Sequence, residues 1–265
     1  MKTYIINIKS RRDRRDKMDL LLRKNGFEIP EEGKKNQEGF IAPDLRVEWT
    51  THWDYNKDGA EITDEWLKEN GFGLFDWRMD EGEALVIDQH KAKWWSRELT
   101  KGEIGCTLSH WAVWNDTEFR DGGPITVLED DALFDESMEL KRDLAIATLE
   151  AMGRKWDLLY LGRVPLMADE KRITPNIVIP KFSYCTYGYV LSESGIEKIK
   201  KYNVHKGIIP ADEFLVSTYI VHPRMDVTFK YPPALEAYAI DPYIVGQRPK
   251  SEVGSDTGLP EEDNK

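Results

Sequence analysis

A short apolar run that ends in three consecutive carboxylates constrains this chain more than any other stretch. Residues 125–128, Ile-Thr-Val-Leu, follow a Gly-Gly-Pro break and lead directly into Glu129, Asp130 and Asp131. The run is too short for a helix and fits a buried parallel strand. In open α/β sheets, ligands bind beyond the carboxyl ends of the strands. Three adjacent acids at such an end repel one another unless a cation lies among them. Hard divalent ions of the Mg²⁺ or Mn²⁺ type take carboxylates together with substrate phosphates. The stretch therefore predicts an α/β fold with a cation and a phosphate-bearing ligand at this strand end. The same residues also read as an acidic turn that caps the next helix.

Composition removes several function classes. The net charge of -11 argues against general nucleic-acid or anionic-membrane binding. Two cysteines, Cys106 and Cys185, give neither a disulfide framework nor a zinc spacing. No apolar stretch reaches transmembrane length. The start of the chain is too short and polar for a signal peptide and reads as a first strand, so a cytoplasmic or otherwise soluble intracellular setting is expected. At 265 residues the chain has material for one large α/β domain.

Strand and helix signals alternate from residue 1 to about 245. A strand over 3–8 precedes a helix over 13–25, with Met18, Leu21 and Leu22 on one face and Gly26 as its stop. Four arginines, Arg11, Arg12, Arg14 and Arg15, cluster at that junction. They fit a phosphate at a helix N-terminus or a solvated helix face. Asp54, Asn56, Asp58, Gly59 and Glu65 match a calcium-loop spacing, although Ile62 stands one place late, so an Asp-Gly turn before a helix over 64–70 is the competing reading. Residues 71–99 are rich in Trp, Phe and Gly and would either wall a sugar site or pack in the core.

Thr100 and Glu103 form a capping box that opens a helix to about residue 120, with His110 inside it. Helices are predicted over 137–152, from Ser192 to about 202, and from Pro210, where Asp212 and Glu213 occupy the first turn. Strands are predicted over 157–163, 177–182, 187–191, 235–241 and 243–245, the first ending in Gly162 and Arg163. Residues 249–265 form a polar, acidic tail.

Several of these segments together resemble glycosyltransferase family 25. They are INIK (6–9) with DRR (13–15), KGEIGCTLSHWAVW (101–114), VLEDD (127–131), LYLGR (159–163), YCTYGYVLS (184–192) and PADEFL (210–215), in the family's order. The family includes bacterial lipooligosaccharide sugar transferases and collagen hydroxylysine galactosyltransferases, and the later segments look closer to the collagen type.

The resemblance implies a GT-A fold, with a Rossmann-like central mixed sheet flanked by helices. It implies a single catalytic domain over 1–248, with an aromatic-rich insertion near 47–99 and a tail that could fold over the donor. It implies an inverting enzyme using Mn²⁺ or Mg²⁺ and UDP-galactose or UDP-glucose, acting on a hydroxylysine-containing or glycan acceptor. On the matching positions, Glu129, Asp130 and Asp131 are the metal motif. Asn7, Arg11, Arg14, Glu103, Ser109, His110, Asp130 and Arg163 are donor-side residues, and Asp212 and Glu213 are the catalytic acids, with Asp212 the expected base. Collagen-type members carry a leader, an ER-retention tail and an upstream transferase-like domain, and none of the three is expected here. The chain also carries DPYIVGQ (241–247) where some relatives have a His-containing segment. Two other classes are consistent with parts of the pattern: a metal-dependent nucleotidyltransferase, for which no Gly-rich phosphate loop is present, and a non-catalytic UDP-sugar- or calcium-binding interaction protein.

Overall fold

A computed structural model of the chain describes residues 1–8, 10–27, 47–51, 62–116 and 122–254, with the backbone alone for 47–51. The first half contains β1 (Lys2–Asn7), α1 (Arg12–Lys24), β2 (Val47–Thr51), α2 (Asp64–Glu69), α3 (Glu81–Ile87), α4 (Ala92–Trp95), α5 (Lys101–Asn115), β3 (Ile125–Glu129), β4 (Ala132–Phe134) and α6 (Met138–Ala151). The second contains β5 (Leu158–Pro165), β6 (Lys171–Thr174), β7 (Ile177–Ile179), β8 (Ser183–Leu191), α7 (Glu193–Lys201), α8 (Ala211–Ser217), α9 (Met225–Lys230), β9 (Ala237–Ile240), β10 (Val245–Gln247) and α10 (Lys250–Val253).

Eight strands form one mixed sheet in the order β2-β1-β3-β8-β5-β9-β7-β6. Successive strand residues point to opposite faces, and here both faces are apolar. Tyr4, Val127, Leu158 and Tyr189 enter one core with Val113 and Trp114 of α5, Ile196 of α7 and Phe214 of α8. Ile5, Leu128, Leu159 and Val190 enter the other with Met18 and Leu22 of α1 and Ile146 and Leu149 of α6. The result is a three-layer α/β/α arrangement, the Rossmann-like mixed sheet expected of a GT-A fold.

The local rules hold well where caps are present. The Thr100–Glu103 capping box is complete, Ser192 caps α7 through the Gly195 amide, and Gly153 stops α6 at positive φ. Helix α5 ends at Asn115, earlier than predicted, and is buried on most sides. Its polar Thr107 is satisfied by the Ile209 carbonyl at 2.7 Å.

Three differences bear on the site. First, β3 is parallel to β1 but antiparallel to β8, so only one of its edges is parallel. Second, the short strand β4 directly after the acids, unpredicted, pairs with β10 in a separate two-stranded sheet. Third, the start of the polar tail folds as α10. Strand β6 and helix α9 were likewise unpredicted, being only four and six residues long. Most of the calcium-loop positions lie outside the described residues; Glu65 stands in the first turn of α2. Among the described residues no helix is long and apolar enough to cross a membrane.

Candidate active site

The chain leaves β1 toward β2 on one side and takes up β3 on the other, so the carboxyl ends of β1 and β3 meet at a topological switch point. That is where open α/β sheets bind ligands. Register pairs Ile6 with Glu129, which sets Asn7 beside Asp130. The Asn7 Nδ2 amide donates to Asp130 Oδ2 at 2.7 Å, and Arg14 Nη1 donates to Asp130 Oδ1 at 3.0 Å. Both Asp130 oxygens are thus engaged, and this carboxylate ties β3 to α1. Burial pushes its pKa up, with Arg14 and Asn7 opposing.

The other two acids point elsewhere. Glu129 Oε1 accepts from the Thr186 hydroxyl of β8 at 2.5 Å and lies 3.3 Å from His110 Nε2 of α5. Burial works against its charge, yet these hydrogen bonds and the charges of His110 and Arg14 hold its pKa below the usual value. Asp131 Oδ2 accepts from Gln247 Nε2 of β10 at 3.1 Å, and its backbone carbonyl accepts from the Arg248 amide. Burial, then the charges of Glu129 and Asp130, raise the Asp131 carboxyl to about 7. Its Oδ1 is buried without a hydrogen-bond partner, as is Asn7 Oδ1. Among the described residues, the group of three potential ligands whose donor atoms lie within 4.8 Å of one another is Cys106, His110 and Glu129.

Asp212 faces the same region from α8. The link is β8: the Cys185 amide donates to Asp212 Oδ2 at 3.4 Å, while the next residue, Thr186, holds Glu129. Cys185 adopts φ 72°, a left-handed conformation rare for a residue with a side chain. Such strain clusters at functional sites. Burial and then the adjacent Glu213 charge raise the Asp212 carboxyl to about 7, against the amides of Cys185 and Glu213.

Glu213 itself is 3% exposed. It accepts from His222 Nε2 at 2.7 Å, Trp95 Nε1 at 3.2 Å and the Tyr184 hydroxyl at 3.1 Å. His222 Nδ1 accepts from the Arg224 amide, so Nε2 carries the proton given to Glu213. Burial opposes its charge, but His222, Trp95 and Lys91 hold its pKa low. Glu213 is therefore a fixed internal anion beside Asp212, with its oxygens turned into the fold.

The remaining expected residues separate into two groups. His110 joins Glu129 as described. Arg14 is buried and reaches both Asp130 and the tail: its Nη2 donates to the Gly254 carbonyl at 2.8 Å, and Arg11 donates to Asp13 and to the Val253 carbonyl. The tail start is thus latched to the predicted phosphate-side arginines. Glu103, Ser109 and Arg163 instead make local contacts. Glu103 pairs with Arg97 at 2.6 Å, Ser109 donates to the Gly105 carbonyl, and Arg163 pairs with Glu170 and Ser183. Trp77 and Trp95 are core residues.

Two glycines missed by motif reading build this site indirectly. A Cβ on Gly162 would lie 2.0 Å from the Val245 carbonyl oxygen, and one on Gly188 would lie 2.9 Å from the Val245 side chain. Only bare backbone lets β10 cross the sheet there and bring Gln247 to Asp131. A lone glycine inside a strand pattern signals such an approach, and Gly162 carries that signal.

The profile described as glycosyltransferase family 25 (LPS biosynthesis protein) matches residues 1–215. The chain belongs to glycosyltransferase family 25. Among similar curated proteins are procollagen galactosyltransferase 1-A of Xenopus laevis, 32% identical over 165 residues (60% of this chain, 27% of that protein). Procollagen galactosyltransferase 2 of Homo sapiens is 28% identical over 250 residues (91% of this chain, 34% of that protein). Inactive glycosyltransferase 25 family member 3 of Homo sapiens is 31% identical over 152 residues (56% of this chain, 26% of that protein). The chain spans about a third or less of the length of these relatives.

Proposed function

We propose that this family 25 domain transfers galactose or glucose from a UDP-sugar to an acceptor hydroxyl, with inversion. The observation that carries the reading is the meeting, across Cys185 and Thr186, of a cation-type acid site with a separate carboxyl near neutrality. The oxygen donors suit a hard divalent ion such as Mn²⁺ or Mg²⁺, and the partnerless Asp131 Oδ1 in a buried, negatively charged setting fits one. Asp131 would hold it, with Glu129 alongside and donor phosphate oxygens completing the shell. When bound, the ion supplies charge neutralisation for the leaving diphosphate.

The protein's own groups do the rest. Asn7 and Arg14 fix the strand end through Asp130. Asp212, ionised above about pH 7, takes the proton from the acceptor hydroxyl as that oxygen attacks the anomeric carbon. Fixed Glu213 keeps Asp212 basic enough for this role. The names of the procollagen galactosyltransferases favour galactose as the sugar and a hydroxylysine-bearing collagen-like acceptor.

The test is UDP release from a panel of UDP-sugars, with Mn²⁺ and with EDTA, followed by transfer to a hydroxylysine peptide. Mn²⁺-dependent release from one donor is expected. A relative named as an inactive family member motivates the second reading, a domain that binds donor without turnover. Stoichiometric UDP-sugar binding with no UDP release over hours would establish that reading and sink the first.

A further inference from the structure

We propose that Cys106, His110 and Glu129 form a second, soft-cation site of the Zn²⁺ class, which shares Glu129 with the acidic site. Cys106 and His110 stand one turn apart on α5, so their side chains share a face. That face meets the end of β3, and the three donor atoms fall within 4.8 Å of one another. The 3.3 Å between His110 Nε2 and Glu129 Oε1 already equals the edge of a tetrahedron with metal–ligand bonds of about 2.0 Å. Bringing the sulfur from 4.8 Å or less to the roughly 3.5 Å edge set by a Zn–S bond of about 2.3 Å is a side-chain adjustment. A thiolate, an imidazole and a carboxylate form a borderline-soft set that favours Zn²⁺ over Mn²⁺ or Mg²⁺.

The surroundings are built as an outer shell. His110 is fully buried. Its Nδ1 lies 2.8 Å from the Tyr189 hydroxyl, which is itself fixed by Trp114 Nε1 at 2.9 Å. A ligating histidine needs such a partner on its second nitrogen to set ring and tautomer. On binding, the imidazole proton sits on Nδ1 and is donated to the Tyr189 oxygen, which frees the Nε2 lone pair. The Cys106 thiol forms the S–metal bond and releases its proton to solvent, one per ion. Glu129 Oε1 is then engaged away from Asp131, so Zn²⁺ would antagonise a hard cation in the acidic site. That last consequence rests on the function proposed above, while the binding does not.

The experiment uses Co²⁺ as a coloured probe for Zn²⁺ on the purified chain, with no donor or acceptor. One equivalent of Co²⁺ is expected to give a thiolate-to-metal charge-transfer band that Zn²⁺ bleaches. The band should vanish in Cys106→Ser, persist in Cys185→Ser and persist in Asp131→Asn. Zn²⁺ affinity, measured against a chelator, should fall by more than about tenfold in Cys106→Ser and His110→Gln. Absence of the band from the unmodified chain would overturn the proposal, whatever the folding of the variants. So would a band that follows Cys185. Loss in Asp131→Asn alone would assign the colour to the acidic site and equally overturn it. UDP release with Mn²⁺ remains a separate readout, so failure of the soft site and failure of the transferase reading are distinguishable.

Discussion

The end of β3 and the start of α8 solve one electrostatic problem in two ways. Each places adjacent carboxylates in a buried setting. In each, a glutamate lies beside a buried histidine and is held as an anion: Glu129 by His110 and Thr186, Glu213 by His222, Trp95 and Tyr184. In each, a neighbouring aspartate is pushed up to about 7, Asp131 at one end and Asp212 at the other. The difference lies in what each aspartate meets. Asp131 faces two other acids, with Arg14 Nη1 3.8 Å from its Oδ2, and keeps a buried oxygen without a partner, a setting further relieved by a cation. Asp212 faces one fixed anion and accepts from two backbone amides, a setting relieved by a proton. Like residues, differently surrounded, are thus suited to metal binding and to base catalysis.

The largest expected effect breaks the comparison on the α8 side. Asp212→Asn keeps the shape but removes the base, so transfer should fall by roughly 10²–10⁴-fold. Binding of UDP and of divalent cation, measured by calorimetry, should stay unchanged. Retained turnover would remove Asp212 as the base, and lost UDP binding would mean that it serves the donor instead.

Asp131→Asn breaks the other side, and its signature is in stability. A carboxyl raised to about 7 in the fold, against an ordinary value near 4 when unfolded, binds more protons folded than unfolded between those values. Stability in EDTA should therefore fall as pH rises from about 4 to 7. The asparagine variant escapes that loss. At pH 8 in EDTA it should be more stable than the parent by roughly 1–3 kcal/mol, with little difference at pH 4. Added Mn²⁺ should raise the parent's melting temperature and leave the variant's unmoved. Equal pH dependence of the two proteins would show that Asp131 is not the strained acid.

What the sequence discloses follows from how local each interaction is. The strand before Glu129, the Thr100 capping box and the helix from Ser192 depend on neighbours within a few residues, and each is where the pattern puts it. Arg14 was legible in part. It shares a helical row with Met18 and Leu22, the buried face of α1, and an arginine on that row implies a buried anionic partner. That Asp130 is this partner depends on the register of β1 against β3. The grouping of Cys106 and His110 with Glu129 depends on how α5 lies on the sheet. So does the bridging of Glu129 and Asp212 by Thr186 and Cys185. No spacing rule reaches those contacts. The resemblance named Glu103, Ser109 and Arg163 along with the rest; that their hydrogen-bond and ion-pair partners are Arg97, the Gly105 carbonyl, Glu170 and Ser183 depends on local packing the motif does not carry.

Gly162→Ala sharpens the comparison, because β10 pairs with β4 and brings Gln247 to Asp131. The added Cβ would overlap the Val245 carbonyl at 2.0 Å, and backbone has to move. A loss of about 1–3 kcal/mol is expected, together with weaker Mn²⁺-dependent UDP binding as Gln247 leaves Asp131. Gln247→Ala, which removes the contact without the overlap, should give the binding defect with little loss of stability. If both variants bind UDP and Mn²⁺ normally, β10 is only a structural strand.

The smallest effect tests how the two halves of the α8 pair are coupled. Glu213 raises the Asp212 pKa by charge, second only to burial. Replacing it with glutamine keeps an acceptor for His222 Nε2 and removes the charge. The Asp212 carboxyl should then ionise at lower pH, so the acidic limb of the kcat/KM profile should shift downward by up to about one pH unit. At pH 8, where Asp212 is already ionised in both proteins, kcat should change little. His222→Gln acts on the same pair through Glu213. It weakens the hold on the Glu213 anion and raises that group's own pKa, so Glu213 is more protonated near neutrality and Asp212 is again eased downward. Both substitutions thus move the limb the same way, by different routes, and a merely structural pair would lower activity at every pH without moving it. The acidic side has its own coupling, from Glu129 and Asp130 to Asp131, which does not govern this limb. Asp131 is set by two neighbouring acids, and Thr186→Val, which removes one hydrogen bond to Glu129, should alter cation affinity while leaving the limb governed by Asp212 where it is.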